Sequence, residues 1–156
     1  MYANPARLSS CLVISTLALC LFAGCGSPGP THLRASIEAE PGANGDAPVA
    51  IAVLVLYEDS VFREFMRLKA SEWFEQSEQR QRDNPDRKDF DLVEWEVMPN
   101  QVIPETPIEL QGRPAEGIVF ADYLSEGDHR IRFNPENRIV IVLGSNDFNV
   151  VKKTDD

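Results

Sequence analysis

The sequence predicts a mainly β fold: a two-sheet sandwich of about eight short strands, with one helix inserted after the second strand. Short apolar or alternating stretches recur along the chain, and turn-forming residues separate them at regular intervals. A longer segment, residues 61–82, instead places apolar side chains at steps of three and four residues, which is the period of an amphipathic helix. Short strands at this spacing are typical of a sandwich.

Length and composition allow one folded domain with a leader. The chain has 156 residues, of which 43% are hydrophobic, so it can bury a core but has no room for two full domains. Its 15 Lys and Arg against 25 Asp and Glu give a net charge of -10. Nucleic acid is therefore not an expected partner, because phosphate contacts are made mostly by Lys and Arg. The same repulsion argues against the domain lying flat on an anionic lipid surface.

Residues 1–24 have the pattern of a lipoprotein signal peptide. Arg7 is their one charged side chain, and an apolar run at residues 11–23 follows it. This run is too short to cross a bilayer comfortably. The sequence Phe22-Ala23-Gly24-Cys25 resembles a bacterial lipobox, in which small residues precede the cysteine that takes the lipid, so Cys25 is the predicted lipidation site. An ordinary secretory cleavage nearby is the alternative.

The mature chain would begin at Cys25. Residues 25–32 are predicted to be a flexible lipidated tether because Gly and Pro are frequent in them, and residues 33–156 are predicted to form the β-sandwich domain. Cys25 is the only cysteine left after cleavage, so no disulfide can form within the chain and the core alone must stabilise it. Gly26 is not the Asp that keeps enterobacterial lipoproteins at the inner membrane, so the periplasmic face of the outer membrane is the predicted location.

The first half of the domain contains the most apolar strand and the helix. A strand at 33–39 and a loop at 40–48, rich in Pro, Gly, Asn and Asp, lead into an apolar run at 49–57. Such a run predicts a central strand that is covered on both faces. In the helix at 61–82, the aromatic stripe is predicted to pack in the core, whereas the polar end at 75–82 is predicted to project into solvent or fray.

The second half contains six further predicted strands, of which the last two form a hairpin. In the first of the six, Val93, Trp95 and Val97 share the predicted core face, while Glu94 and Glu96 face water. Three prolines interrupt the second, as suits an edge strand. The six strands are 92–98, 102–114, 117–123, 129–133, 138–143 and 148–152.

No motif in the mature chain predicts catalysis. It has no Gly-x-Ser-x-Gly, no phosphate-binding glycine loop and no His-Glu-x-x-His. Ser125, Asp128 and His129 have the residue types of a catalytic triad, but they lie within five residues of one another, and triad members usually come from separate segments. We therefore expect a solvated turn there, no catalytic residue, no cofactor, and a protein that is not an enzyme.

An acidic stretch between the helix and the next strand has the density of a calcium loop. Its aspartates are Asp83, Asp86, Asp89 and Asp91. Basic residues lie among them, and the glycine position of an EF-hand loop is not filled. We expect a charged, solvated loop and no metal site.

The order of these elements resembles the TssJ (VasD/SciN) family, the outer-membrane lipoproteins of type VI secretion systems. Residues 44–48 resemble the family's loop of Asn, Gly and Pro, and the strand 49–57 ends in Val-Leu-Tyr, like the family's valine-rich strand. Residues 96–101 resemble its strand followed by Pro-Gly-Glu/Gln, with Asn in place of Gly. Residues 117–123 are similar to its Gly-Val-x-Ala-x-Tyr/Phe strand.

The resemblance implies a transthyretin-like sandwich that works as a scaffold. It would bind the periplasmic domain of a TssM-type inner-membrane protein through the loop between its first two strands, with no small-molecule substrate. An unrelated lipoprotein binding module, pilotin-like or ligand-binding, is the alternative. The predicted partner-binding residues are Glu40, Pro41, Gly42, Ala43, Asn44, Gly45 and Asp46.

Overall fold

Two four-stranded sheets form the domain, which the computed structural model describes over residues 32–136 and 138–153. The mainly β, two-sheet sandwich is confirmed. The signal peptide, Cys25 and residues 25–31 lie outside the described residues. The strands are β1 (His32–Ala39), β2 (Val49–Leu56), β3 (Phe90–Val97), β4 (Val102–Glu109), β5 (Glu116–Asp122), β6 (Arg130–Phe133), β7 (Arg138–Leu143) and β8 (Phe148–Lys153). The helices are α1 (Asp59–Phe65) and α2 (Ala70–Asp83), both between β2 and β3.

Strand order explains which strands are central. The first sheet has the order β4-β1-β7-β8 and the second has the order β3-β2-β5-β6. Neighbours pair antiparallel, except β1 and β7, which run parallel. As predicted, the proline-containing β4 is an edge strand and β7 pairs with β8 as a hairpin. Within the described ranges, no helix is long and apolar enough to cross a membrane.

The second strand separates two hydrophobic cores. Alternate side chains of β2, among them Ile51 and Val53, pack between the sheets. The intervening ones, including Leu54 and Leu56, pack under the helices. Because both faces are buried, the strand needs apolar residues at every position, and the prediction of a doubly covered central strand is confirmed.

The predicted single helix is two helices. The α1 helix ends at Phe65, and α2 begins at Ala70 after a turn. The break is stabilised at the start of α2, because the backbone N–H of Lys69 donates to the Glu72 carboxylate at 2.8 Å, as in a capping box. The Ala70 N–H also donates to the Asp128 carbonyl at 2.9 Å, which ties the turn to the loop before β6.

Aromatic packing accounts for the position of this break. Phe65 from α1 and Trp73 from α2 are both buried, and their ring centroids lie 5.4 Å apart. Trp73 also stacks on Phe120 of β5 at 5.5 Å. Both helices therefore insert an aromatic ring over the second sheet, and the core role predicted for the aromatic stripe is confirmed.

The polar end of α2 does not simply project into solvent. Arg80 lies over the Phe65 ring at 5.2 Å, and its guanidinium donates to Glu64 Oε1 at 2.6 Å. Ser77 is buried on the same side of the helix. The prediction that this end projects or frays is therefore wrong for the side that faces α1, because a cation–π contact and an ion pair hold it there.

One carboxylate links the four strands of the first sheet on the outer face. Glu105 of β4 accepts hydrogen bonds from Arg138 of β7 at 2.8 Å and from Arg34 of β1 at 3.0 Å. The Nζ of Lys153 on β8 lies 3.5 Å from the same carboxylate. Hydrogen bonds from Arg138, and then from Arg34, lower the pKa of Glu105 from 4.5 to about 2.

The substitution Glu105→Gln is expected to lower the free energy of unfolding at neutral pH. The folded-state pKa of Glu105 lies below the unfolded one, so the carboxylate's contribution is fully present above pH 4.5 and is lost as the pH falls through about 2. Urea unfolding at pH 7, 4 and 2.5 should therefore show a difference from wild type that shrinks with falling pH. Glu109→Gln changes an exposed carboxylate of the same strand, with no ion pair to any described residue, and is the control. A difference that does not depend on pH would contradict the expectation.

Candidate functional site

Four loops meet at one end of the sandwich, which we call the loop end. They are residues 40–48, 98–101, 123–129 and 144–147, which join β1 to β2, β3 to β4, β5 to β6 and β7 to β8. Backbone hydrogen bonds connect three of them directly: the Asn44 N–H donates to the Gly144 carbonyl at 3.3 Å, and the Asn100 N–H donates to the Glu40 carbonyl at 3.3 Å. The predicted partner loop, 40–48, therefore lies among three others that the sequence analysis did not connect with it.

A buried asparagine holds the 40–48 loop in place. Asn44 is 3% exposed, its Nδ2 donates to the Pro48 carbonyl at 2.9 Å, and its Oδ1 accepts from the Leu124 N–H at 2.7 Å. Its φ of 49° is left-handed, a conformation that Asn tolerates better than most residues. The neighbouring Gly42 and Gly45 also have positive φ, which permits the tight turn at 43–46.

Burial divides the seven predicted partner-binding residues into two groups. Ala43 and Asn44 are buried, so they position the loop and do not present side chains to a partner. The other five, at least partly open to solvent, are Glu40, Pro41, Gly42, Gly45 and Asp46, and these remain the predicted contacts.

A histidine connects the 123–129 loop with the 144–147 loop. His129 Nε2 donates to the Ser125 carbonyl at 2.9 Å, and Nδ1 lies 3.1 Å from Asp147 Oδ1. Its ring stacks on Tyr123 with centroids 5.0 Å apart. A Cβ on Gly127 would lie 2.7 Å from this ring, so only glycine fits there without displacing it. The expectation of a solvated turn is wrong for His129, which is buried because it bridges segments distant in sequence.

The same geometry does not make a catalytic triad. Ser125 Oγ donates to the Asn146 carbonyl at 2.7 Å and lies 3.4 Å from His129 Nε2. That nitrogen already donates its proton to the Ser125 carbonyl, so it cannot accept the serine proton in this arrangement. The partner of the ring is Asp147, whereas Asp128 pairs with Arg130 at 2.9 Å. The cluster therefore has a structural role.

The hydroxyl of Tyr123 lies close to negative charges at the loop end. Its hydroxyl lies 3.2 Å from the Gly144 carbonyl and 3.1 Å from the Asp147 carbonyl, and its ring is buried. Burial first, and then the negative charges of Asp147 and Glu40, raise the pKa of Tyr123 well above its ordinary value. Asp147 and Glu40 therefore lie close enough to Tyr123 to disfavour its ionised form.

The acidic stretch at the opposite end of the sandwich contains one buried member. Asp91 is 1% exposed and accepts hydrogen bonds from the Tyr57 hydroxyl, from Arg87 Nε at 2.7 Å and from the Gln111 N–H at 3.0 Å. Burial and this bond to Asp91 raise the pKa of Tyr57 to about 12. The predicted solvated loop is wrong for Asp91, although the other three aspartates are exposed. No group of three or more His, Cys, Asp and Glu within the described part of the chain could hold a metal ion.

The fold of this chain is similar to that of several solved protein structures. No protein-family model and no curated protein sequence matches the chain. The crystal structure of the T6SS lipoprotein TssJ1 from Pseudomonas aeruginosa is similar over 81% of this chain and 99% of that one, with a TM-score of 0.61 and 17% identity. Serratia marcescens Lip, a membrane-bound component of the Type VI Secretion System, is similar over 81% and 99%, with a TM-score of 0.58 and 20% identity.

A third structure has the same fold. A chain in the structure of the T6SS protein TssM C-terminal domain from EAEC is similar over 78% of this chain and 98% of that one, with a TM-score of 0.58 and 14% identity. At these identities the likeness establishes the fold. The sandwich implied by the sequence resemblance is therefore the fold of this chain.

The substitution Asn44→Ala is expected to lower the free energy of unfolding by about 2–3 kcal/mol, because it removes two hydrogen bonds of a buried side chain and places alanine at a left-handed φ. Asn100→Ala is the matched control, since Asn100 has a φ of 62° but is exposed and its side chain bonds no described residue. The control should cost about 1 kcal/mol.

Urea unfolding measures both energies, and hydrogen exchange at the Leu124 amide reports on the lost bond. Exchange at Leu124 should accelerate in Asn44→Ala alone. Equal costs for the two variants, with unchanged exchange at Leu124, would show that Asn44 does not hold the loop.

Proposed function

We propose that the chain is an outer-membrane-anchored lipoprotein of the type VI secretion membrane complex, and that it holds the periplasmic domain of a TssM-type inner-membrane protein. The observation that carries the proposal is the sandwich that this chain shares with two T6SS lipoproteins over nearly their whole length. The likeness to chains in a TssM structure and in a Type VI membrane complex supports a place in that complex. The lipobox at Cys25 supports the anchor.

The direction of β1 supports membrane attachment at one end of the sandwich and partner binding at the other. β1 starts at His32 and runs to Ala39, where the loop end begins. The tether therefore joins the domain at the end opposite the partner loop. From Cys25 to His32 the chain can span at most about 25 Å, so the lipid would hold that opposite end near the membrane and leave the loop end directed away from it.

The mechanism is attachment at two places with no chemical step. Each buried methylene of an acyl chain contributes about 0.8 kcal/mol, so the several chains of a mature lipoprotein cysteine anchor it stably. A rigid sandwich displaying loops is a common binding device, because the scaffold fixes the loops before the partner arrives. The protein would thus link the outer membrane to a subunit of the inner membrane.

Partner binding can be tested at the exposed residues of the predicted loop. Replacing Glu40 and Pro41 by Ser and Asp46 by Asn keeps the buried Ala43 and Asn44. Asn tolerates the left-handed φ of 65° at position 46, so the loop should keep its place. Co-purification with the periplasmic domain of the TssM-type protein from the same cell should fall at least tenfold. The matched control replaces Asp86 and Lys88, exposed residues at the opposite end, by Ser. Undiminished co-purification in the loop variant would move the interface elsewhere.

The anchor is tested independently at Cys25. Cells that express the wild type and are fed labelled palmitate should yield a labelled protein in the outer-membrane fraction. Cys25→Ser should abolish the label and release the protein from the membrane, whereas Cys20→Ser should change neither. A labelled Cys25→Ser protein, or one that stays at the membrane, would contradict lipidation at this position.

A further inference from the structure

The loop end combines two exposed apolar side chains with an excess of negative charge, although Lys69 of the adjoining turn before α2 lines a recess together with Glu126. Leu124, which is 78% exposed, lies in the 123–129 loop, and Met98, which is 51% exposed, lies in the 98–101 loop. The four loops contain no Lys or Arg, but they contain five acidic residues. These are Glu40, Asp46, Glu126, Asp128 and Asp147.

Two of these carboxylates are engaged within the domain, and three are open to a partner. Asp128 pairs with Arg130, and Asp147 faces His129. Glu40, Asp46 and Glu126 are exposed and form no ion pair with any residue that the structure describes. The turn at 66–69, which lies beside the 123–129 loop, adds two basic residues to the five acidic ones of the loop end. The opposite end has the smaller net charge, because its connections at 57–58, 84–89, 110–115 and 134–137 contain four acidic and three basic residues.

Leu124 is exposed on a rigid support. Its backbone N–H is bonded to buried Asn44, and the residues on either side, Tyr123 and Ser125, bond to the carbonyls of the 144–147 loop. A side chain held in this way loses little freedom when a partner covers it, so its burial contributes more to binding. Of the four large hydrophobic side chains that the described residues expose, Leu124 and Met98 both lie in loops of the loop end.

We infer that the loop end, with Leu124 as its apolar anchor, is the surface that binds the partner protein, and that the partner presents Lys and Arg around an apolar recess. The inference rests on the proposed function and names the partner's chemistry. Charge complementarity identifies the occupant: a second copy would bring the same carboxylates face to face, and an anionic lipid surface would be repelled. A basic surface would pair with Glu40, Asp46 and Glu126.

The test measures binding of the purified mature chain to the periplasmic domain of the TssM-type protein from the same cell, at low and at high salt. Leu124→Ala should weaken binding at least tenfold, whereas Leu124→Met should keep it within threefold. The double reversal Glu40→Lys with Glu126→Lys should slow association about tenfold or more and reduce its salt dependence. These residues are exposed, so unfolding midpoints should stay at the wild-type value.

Two controls separate this surface from general effects. Val151→Ala removes apolar surface from β8 at a residue that is 51% exposed, and the reversal Asp86→Lys with Glu136→Lys changes the same number of charges at the opposite end. Both should bind as wild type. Absence of binding by the wild type overturns the proposed function. Wild-type binding that Leu124→Ala and the loop-end reversal leave unchanged overturns this inference alone, and so does a wild-type dimer that Leu124→Ala dissociates.

Discussion

The structure depends on the double burial of β2. Its alternate side chains fill the space between the sheets, and the intervening ones, such as Leu54, form the floor under the helices. All three cysteines precede residue 26, so no disulfide can link the described strands and these two layers must stabilise them. The helices are thereby confined to the outer face of the second sheet, and the outer face of the first sheet presents charges such as Glu105.

Most of the fold could be predicted because the strands obey simple periodicities. The alternation in β3 and the continuous apolar run in β2 each reflect burial on one face or on two, which a sequence records directly. The two helices were predicted as one because the apolar steps continue through the break. What divides them is the cap at Lys69 and a hydrogen bond to the distant Asp128 carbonyl, and neither follows from local propensity. The parallel pairing of β1 with β7 cannot be predicted from the local sequence either, since only the folded topology brings the two strands together.

The candidate site could be predicted only in part, because its hydrogen bonds join residues that are distant in sequence. The composition of residues 40–48 marks a displayed loop, but composition cannot show that Asn44 is buried or that Leu124 is its hydrogen-bond partner. His129 and Asp91 were both expected in solvent because polar residues surround them in sequence. Each is buried because it bonds to residues at least four positions away, and up to 34 in the case of Asp91 and Tyr57. The one local signal was Asn next to Gly, a pair that favours left-handed turns.

The buried polar groups of the loop end bear on the proposed binding surface. Asn44, Tyr123 and His129 each make at least one hydrogen bond to a neighbouring loop, so the loops are fixed relative to one another before any partner is bound. A surface fixed in this way avoids the ordering entropy that a flexible loop would lose on binding. The same bonds draw Asp147 towards His129 and leave the carboxylates of Asp46 and Glu126 for solvent. The loop end is therefore rigid because its polar side chains bond across loops, and it is acidic because only some of its carboxylates find partners within the domain.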